Sequence, residues 1–574
     1  MSTFHIKPSR WQRLACVSAI ALGLSACGGG DDRAATPAPT PAPTPTPVPQ
    51  ADTRPNIVVI LADDLGYSDL GAFGGEISTP NLDALVGDGR ILTDFHSAAT
   101  CSPTRSMLMS GTTHHLAGLG SMAEALAPYQ QGKPGYEGYL NDNSLSIASL
   151  LKDAGYHTYM AGKWHLGLDE AHSAKARGFE SSYTLLQGGG SHFAAVAGKA
   201  QTYDAVTYRE NGAVVQVPAN FFSTDFYTDK LIAYIDQNKA DGKPFFAYAA
   251  YTAPHWPLQA PAEFIDRYKG KYDAGYEAIR LARIAKQKAL GVIPADFEPS
   301  PLLPATTANP LWSQLSAEQK QSEARKMEVY AAMVENLDWN IGRLIARLKQ
   351  TGKYDNTFVF FMSDNGAEGS NGIFANNAST DNSLGNYGKT LSNIQYGKRW
   401  AEVGATPFRL WKGNSTEGGV SVPAIARLPK QTGGQPAFSR VGTVRDIAPT
   451  LLELAQAKDP GASYQGKAVN PITGKSLLPA LQNRAAAVHA ADEVIADELF
   501  GHAYVRRDNW KLLWSEKPLG PGAWQLYDLA RDRAETYDLA ASRPDIVNAL
   551  KGEWKNYVGK NGVILAPSSG LQVQ

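Results

Sequence analysis

Two pairs of oxygen-bearing side chains stand directly behind apolar runs. Asp63 and Asp64 follow Asn-Ile-Val-Val-Ile-Leu-Ala at 56–62, and Asp364 and Asn365 follow Phe-Val-Phe-Phe-Met at 358–362 with Ser363 between. Two strands of one parallel sheet would deliver all four to a single edge, where such sheets bind ligands. Three carboxylates and one amide oxygen, with no cysteine or histidine cluster beside them, suit a hard cation such as calcium or magnesium better than zinc. Either pair alone reads more simply as the cap of a following helix. A third candidate is Cys101 in Cys-Ser-Pro-Thr-Arg, just before a helix whose first turn would take Pro103. A residue there faces backbone N–H groups and the positive end of the helix dipole. By itself Cys101 is either a small buried hydrophobe or a thiolate nucleophile.

The elements that must position these groups read as an α/β sheet. Strands are expected at 56–62, 244–250 and 357–362, the first a continuous β-branched run of the kind buried on both faces of a parallel sheet. Helical patterns occupy 79–86, 145–152, 227–238, 326–349 and 443–455, and strands alternating with helices imply a mostly parallel sheet with helices on both sides. After about residue 480 the rhythm changes, and 503–514 followed by 524–529 reads as short antiparallel strands in a small C-terminal β-rich subdomain. The stretches 260–325 and 366–404 carry little periodicity and read as large surface insertions. Lys163 and His165 stand two apart in an extended segment, which would put them on one face.

The chain has 574 residues, 43% of them hydrophobic, enough for a large packed core. Its 54 basic and 55 acidic residues leave a formal charge of -1, so no global field grips nucleic acid. Of three cysteines, two (Cys16 and Cys27) lie in an unusual N-terminal segment, which excludes a disulfide framework. Residues 1–13 carry Lys7, Arg10 and Arg13 and no acid, and 14–26 are small and apolar, the pattern of a secretory signal. The end of that run, Leu24-Ser-Ala-Cys27, resembles the lipobox of bacterial lipoproteins, which implies removal of 1–26 and lipidation of Cys27. Thr-Pro-Ala-Pro repeats at 36–49 make a polyproline-like spacer. The expected organisation is a signal peptide at 1–26, lipidated Cys27 and linker at 27–53, a catalytic domain at 54–480 and the β-rich part at 481–574. Gly28, where some bacteria place an aspartate for inner-membrane retention, favours the outer membrane, facing periplasm or medium.

Cys-Ser-Pro-Thr-Arg at 101–105 resembles the C-x-P-x-R signature of type I sulfatases, whose cysteine is oxidised to formylglycine. RPNIVVILADDLGYSDLG at 54–71, TPNLDAL at 79–85, GKWHLG at 162–167, APHWPL at 253–258, SDNG at 363–366 and KGNSTEGGVSVP at 412–423 resemble sulfatase segments in family order. GTTHHLAGLGSM at 111–122 is most similar to the bacterial arylsulfatase branch. The resemblance implies an alkaline-phosphatase/sulfatase-like fold and a sulfuric ester hydrolase acting on a small-molecule or saccharide sulfate ester, matured by a formylglycine-generating enzyme.

It also implies residue roles. Asp63, Asp64, Asp364, Asn365 and an oxygen of modified Cys101 would ligate one divalent cation, which the resemblance makes calcium. The formylglycine hydrate would attack sulfur through one hydroxyl and eject sulfate through the other, with Asp364 placed to take the attacking hydroxyl's proton. Lys163 would hold a sulfate oxygen, His165 would act as base on the second hydroxyl, and His255 would protonate the leaving oxygen from a near-neutral pKa. Lys412 would touch sulfate and leaving group, and Arg105 would hydrogen-bond the modified side chain. His114 and His115 are expected in the pocket wall, outside the catalytic set. The alternatives are a phosphonate monoester or phosphodiester hydrolase on the same site, or a non-catalytic binding lipoprotein if Cys101 is not matured. A two-metal phosphatase would be expected to add histidine ligands and keep a Ser or Thr where Cys101 stands.

Overall fold

The strand Asn56–Ala62 is buried along its whole length because both of its faces meet apolar layers. Val58 and Ile60 point into one core, Ile57, Val59 and Leu61 into the other, as period-two alternation requires. The computed structural model describes residues 52–196, 206–370 and 379–572. The expected signal peptide, Cys27 and nearly all of the spacer lie outside the described residues.

Asn56–Ala62 runs parallel to Phe245–Ala250 on one side and Thr357–Ser363 on the other. His157–Lys163 and Ser181–Leu185 extend the parallel array beyond Phe245–Ala250. Antiparallel strands flank it, Ala424–Arg427 and then Arg90–Leu92 at one end, Tyr208–Glu210 and Ala213–Val215 at the other, completing a nine-stranded sheet. Helices cover both faces. The longest, Ala317–Gln350 with 34 residues, packs on the core that holds Val58 and Ile60.

That helix begins earlier than the apolar period alone suggests, because its first turns are polar. The start signal is a capping box instead: Ser316 Oγ accepts from Gln319 N at 3.2 Å, and Gln319 Oε1 accepts from Ser316 N at 2.8 Å. The expectation of surface insertions is also corrected. Within 260–325 lies the helix Tyr276–Leu290, whose inward face buries Arg280, Arg283 and Gln287 beside Tyr276 and Ile284, so polar residues interrupt its hydrophobic period. Arg283 reaches Asp69 Oδ1 at 2.5 Å and Glu76 Oε2 at 2.7 Å. In 366–404, of which 371–378 are not described, the helix Gly397–Gly404 buries Trp400 completely.

The C-terminal strands Val494–Leu499, His502–Arg507, Trp510–Trp514 and Trp524–Asp528 form a separate antiparallel sheet in sequence order. The helix Pro544–Asn561 packs on it through Leu550 and Trp554. This sheet and the large one belong to one compact unit.

Candidate active site

Register decides which residues meet. Ala62 lies opposite Ser363, Leu61 opposite Ala250, and Gly162 opposite the same Ala250. The residues one step beyond Ala62 and Ser363, Asp63 and Asp364, therefore leave the sheet at one height, with Lys163 one residue short of them, level with Ala62. The chain turns sharply there: Asp64 has φ 67°, a left-handed conformation that short polar side chains tolerate better than bulky ones. Asp63, Asp64, Asp364 and Asn365 are all buried.

Cys101 is the first residue of the helix Cys101–Ser110, and Thr100 before it makes no side-chain cap. Its thiol donates to Asp63 Oδ1 at 3.3 Å and lies 3.9 Å from Asp64 Oδ1. Burial pushes the thiol pKa well up, and the Asp364 and Asp63 charges add to the rise. As encoded, the residue is a protonated thiol, which argues against the thiolate reading.

Cations close the cluster. Lys163 Nζ lies 2.7 Å from Asp63 Oδ2, and Lys412 Nζ 2.7 Å from Asp64 Oδ1 and 3.3 Å from Glu368 Oε2. Burial works against both ammonium groups, but the carboxylates outweigh it and hold both pKa values up. Beside the unmodified Cys101, Arg105 is held by Asp364. Its Nε and Nη2 donate to Asp364 Oδ2 at 3.0 and 2.7 Å, and its Nη1 to the Lys163 carbonyl at 2.9 Å. Arg105 thus orients Asp364. Burial lifts the Asp364 carboxyl to about 6, with Asp63 adding to the rise and Arg105 opposing it.

The two histidines differ from expectation in instructive ways. His255 Nε2 faces Asp64 Oδ2 at 3.6 Å while its Nδ1 meets the Trp256 carbonyl at 2.5 Å. Burial pulls this imidazole down to about 3, with Asp64 opposing and Lys163 and Lys412 assisting. The near-neutral value expected from its type is overridden chiefly by burial, with the two lysines assisting. His165 does not share an extended face with Lys163, because the strand ends at Lys163 and His165 turns left-handed with φ 54°. Its Nε2 meets Glu124 Oε1 at 3.0 Å. Sequence reasoning missed Glu124, which sits in a short 3-10 turn, Ala123–Ala125, with no period to mark it.

His114 and His115 also leave the expected place. His114 Nε2 donates to Asp497 Oδ1 at 2.7 Å and His115 Nε2 lies 3.2 Å from Glu498 Oε2, so both join the C-terminal sheet.

The donor set fits a hard cation. Metal-ligating atoms of Asp63, Asp64, Cys101 and His255 lie within 4.8 Å of one another. Among the described residues, Asp64 Oδ2 and Asn365 Oδ1 are buried acceptors with no hydrogen-bond partner, a costly arrangement unless something positive meets them. The sulfur of Cys101 and the ring nitrogen of His255 are the poorer matches there, since hard cations select oxygen ligands. A cleft of about 1080 Å³ elsewhere, lined by Lys288, Arg440, Arg531 and Tyr537 among others, contains none of these groups.

The comparisons agree with this geometry. The sulfatase family pattern matches residues 55–457. A sulfatase of Schizosaccharomyces pombe, itself uncharacterized, is 45% identical over 544 residues, covering 90% of this chain and 96% of its own. An arylsulfatase of Klebsiella aerogenes is 40% identical over 432 residues, covering 74% and 91%. The crystal structure of Ps i-CgsB superposes with a TM-score of 0.62 at 24% identity, covering 91% and 95%, a likeness of fold. A catalytic sheet edge of this composition and relatives of this identity define a sulfuric ester hydrolase, and the chain belongs to the sulfatase family.

Proposed function

We propose that this protein is an exported, calcium-dependent arylsulfatase-type enzyme that uses formylglycine at position 101 to hydrolyse a small-molecule or saccharide sulfate ester. The observation that carries the reading is Cys101 at the start of a helix, its sulfur set against Asp63 and Asp64 beside the buried, unpartnered oxygens Asp64 Oδ2 and Asn365 Oδ1. Conversion by a formylglycine-generating enzyme replaces that sulfur with oxygen. As its hydrate, formylglycine supplies one hydroxyl to attack sulfur and a second through which sulfate is released. Asp63, Asp64, Asp364, Asn365 and residue 101 would hold the calcium, which would supply positive charge at the sulfate oxygens.

The chain's own residues do the rest. Lys163 Nζ and Lys412 Nζ, held on Asp63 and Asp64, are poised to take sulfate oxygens and offset charge as it moves to the leaving group. Arg105 fixes Asp364, whose carboxylate accepts the proton of the attacking hydroxyl. The His255 Nε2 lone pair points into the cluster, and the negative charge of a bound sulfate ester favours its protonation for donation to the leaving oxygen. His165 Nδ1 accepts the second hydroxyl's proton. The lipobox-like Leu-Ser-Ala-Cys27 supports a lipid anchor, with the spacer carrying the enzyme off an outer membrane.

The test is mass spectrometry of the tryptic peptide 91–105 from native-host protein, alongside hydrolysis of nitrophenyl sulfate and a matching phosphonate monoester. The expected result is an aldehyde mass at position 101 and faster turnover of the sulfate. An unmodified thiol would overturn the mechanism, and faster phosphonate turnover would overturn the substrate class.

A further inference from the structure

His165 Nε2 and Glu124 Oε1 are 3.0 Å apart, while His165 Nδ1 is buried and has no hydrogen-bond partner among the described residues. A carboxylate accepts only, so it fixes the proton on Nε2 and leaves the Nδ1 lone pair free. We propose that Glu124 is a positioning residue that holds His165 as the Nε2–H tautomer, with Nδ1 as the base that releases sulfate. The proposal rests on the formylglycine reading and deepens it.

Three further observations support it. Gly188 makes room for the pair: a Cβ there would stand 2.6 Å from His165 Cε1, 2.8 Å from Nε2 and 3.0 Å from Glu124 Oε1. Burial, Lys163 and Arg105 all work against charge on the imidazole while Glu124 favours it, so Glu124 supplies the negative charge that a forming imidazolium needs. Glu124 also lines an open cleft with Gln131, Lys133, Glu137 and Tyr139, and its side chain is 53% exposed. His165 is buried, so the pair connects the interior of the site to water.

In the release step His165 Nδ1 accepts the proton of the second hydroxyl. That hydroxyl's electron pair closes the carbonyl as the C–O bond to sulfate breaks, and sulfate departs with the pair of the broken bond. Water then restores the hydrate, and the proton leaves His165 to solvent.

Because this step follows departure of the alcohol, loss of Glu124 has a distinctive signature. With nitrophenyl sulfate and matured enzyme, Glu124→Gln is expected to lower kcat about 10-fold and Glu124→Ala about 100-fold, with kcat/KM unchanged. Nitrophenol should then appear in a burst equal to the matured enzyme concentration. Equal falls in kcat and kcat/KM without a burst, or kcat within twofold of wild type, would overturn the proposal. A second readout needs neither activity nor a Glu124 variant. In ¹⁵N-histidine spectra of the unmatured wild-type protein, His165, assigned by its loss in His165→Gln, should show protonated Nε2 and bare Nδ1. The opposite tautomer would overturn the proposal too. If matured wild type fails to hydrolyse sulfate esters, the functional reading fails; if only the Glu124 results fail, that reading stands and this inference falls.

Discussion

Of the three buried clusters that gather acids and histidine to within ligand-binding distance among the described residues, two invite comparison, one built to react and one to hold. The first holds Asp63, Asp64, Cys101 and His255, the second Asp94, His96 and Glu417. In the second, basic side chains occupy every carboxylate. Lys511 Nζ lies 2.8 Å from Glu417 Oε1 and 2.7 Å from Glu535 Oε1, Arg506 grips Asp94 with two bonds of 3.0 and 2.9 Å, and Arg533 reaches both Asp94 and Glu417. These cations come from the C-terminal sheet and the loop after it, so the network ties that sheet to the main body. In the first cluster, Asp64 Oδ2 and Asn365 Oδ1 stay unbonded. Burial and charge are common to both; buried carboxylate and amide oxygens left without a partner mark the site that binds.

The comparison breaks most easily at Cys101. Cys101→Ala should lower hydrolysis of nitrophenyl sulfate by about 10⁴-fold or more, with the unfolding midpoint nearly unchanged, since one small side chain is lost from a polar site. A variant that still turns over would mean the first cluster is structural as well. Cation removal comes next. Exhaustive chelation should lower activity on the order of 10³-fold, restored by calcium, and added calcium should raise the melting temperature by mass action. Asp64→Asn should abolish that calcium-dependent rise. A rise that survives in Asp64→Asn but vanishes in Glu417→Gln would assign the cation to the other cluster.

The mirror experiment is Lys511→Met. It leaves Glu417 and Glu535 facing each other without their shared ammonium, and removing one member of a buried ionic network costs about 3–5 kcal/mol. Urea unfolding should show that loss, while kcat per matured molecule stays within twofold. A selective loss of kcat without destabilisation would erase the distinction between the clusters.

What could be read in advance divides along physical lines. The central strands were legible because apolar residues on both faces leave an unbroken run, and the acids behind them because a parallel register brings strand ends level. The family segments carried Cys101, Lys163, His255 and Lys412 to the same edge. The helix Tyr276–Leu290 was not legible, because Arg280, Arg283 and Gln287 share its inward face with Tyr276 and Ile284 and break up the hydrophobic period. Arg105's true partner, Asp364, lies 259 residues away in sequence, and no local spacing encodes such a contact. The turn at His165 was hidden too, since a positive φ in a non-glycine residue is imposed by its surroundings.

The segment 111–122 gives the smallest and most discriminating prediction, because its family likeness suggested a pocket wall and its side chains meet the C-terminal sheet instead. His114 Nδ1 donates to the Leu119 carbonyl at 2.8 Å and Nε2 to Asp497 at 2.7 Å. Both partners are acceptors, so the ring is an imidazolium, and although burial opposes it, Asp497 holds its pKa up. Beside it, burial lifts Glu498 from 4.5 to about 7. Between those values the folded protein keeps a proton that the unfolded chain has released, so stability falls as pH rises through that window. The contribution is whole below pH 4.5 and gone above 7. Glu498→Gln cannot titrate, so urea unfolding at pH 5 and at pH 8 should show the variant gaining about 2–3 kcal/mol on wild type over that range. His114, Asp364 and Asp338, whose pKa values are also raised, act with the same sign and contribute to the fall that remains. Sulfatase activity should stay within twofold throughout. A large loss of turnover in Glu498→Gln would return His114 and His115 to the catalytic pocket and make the C-terminal sheet part of the active site.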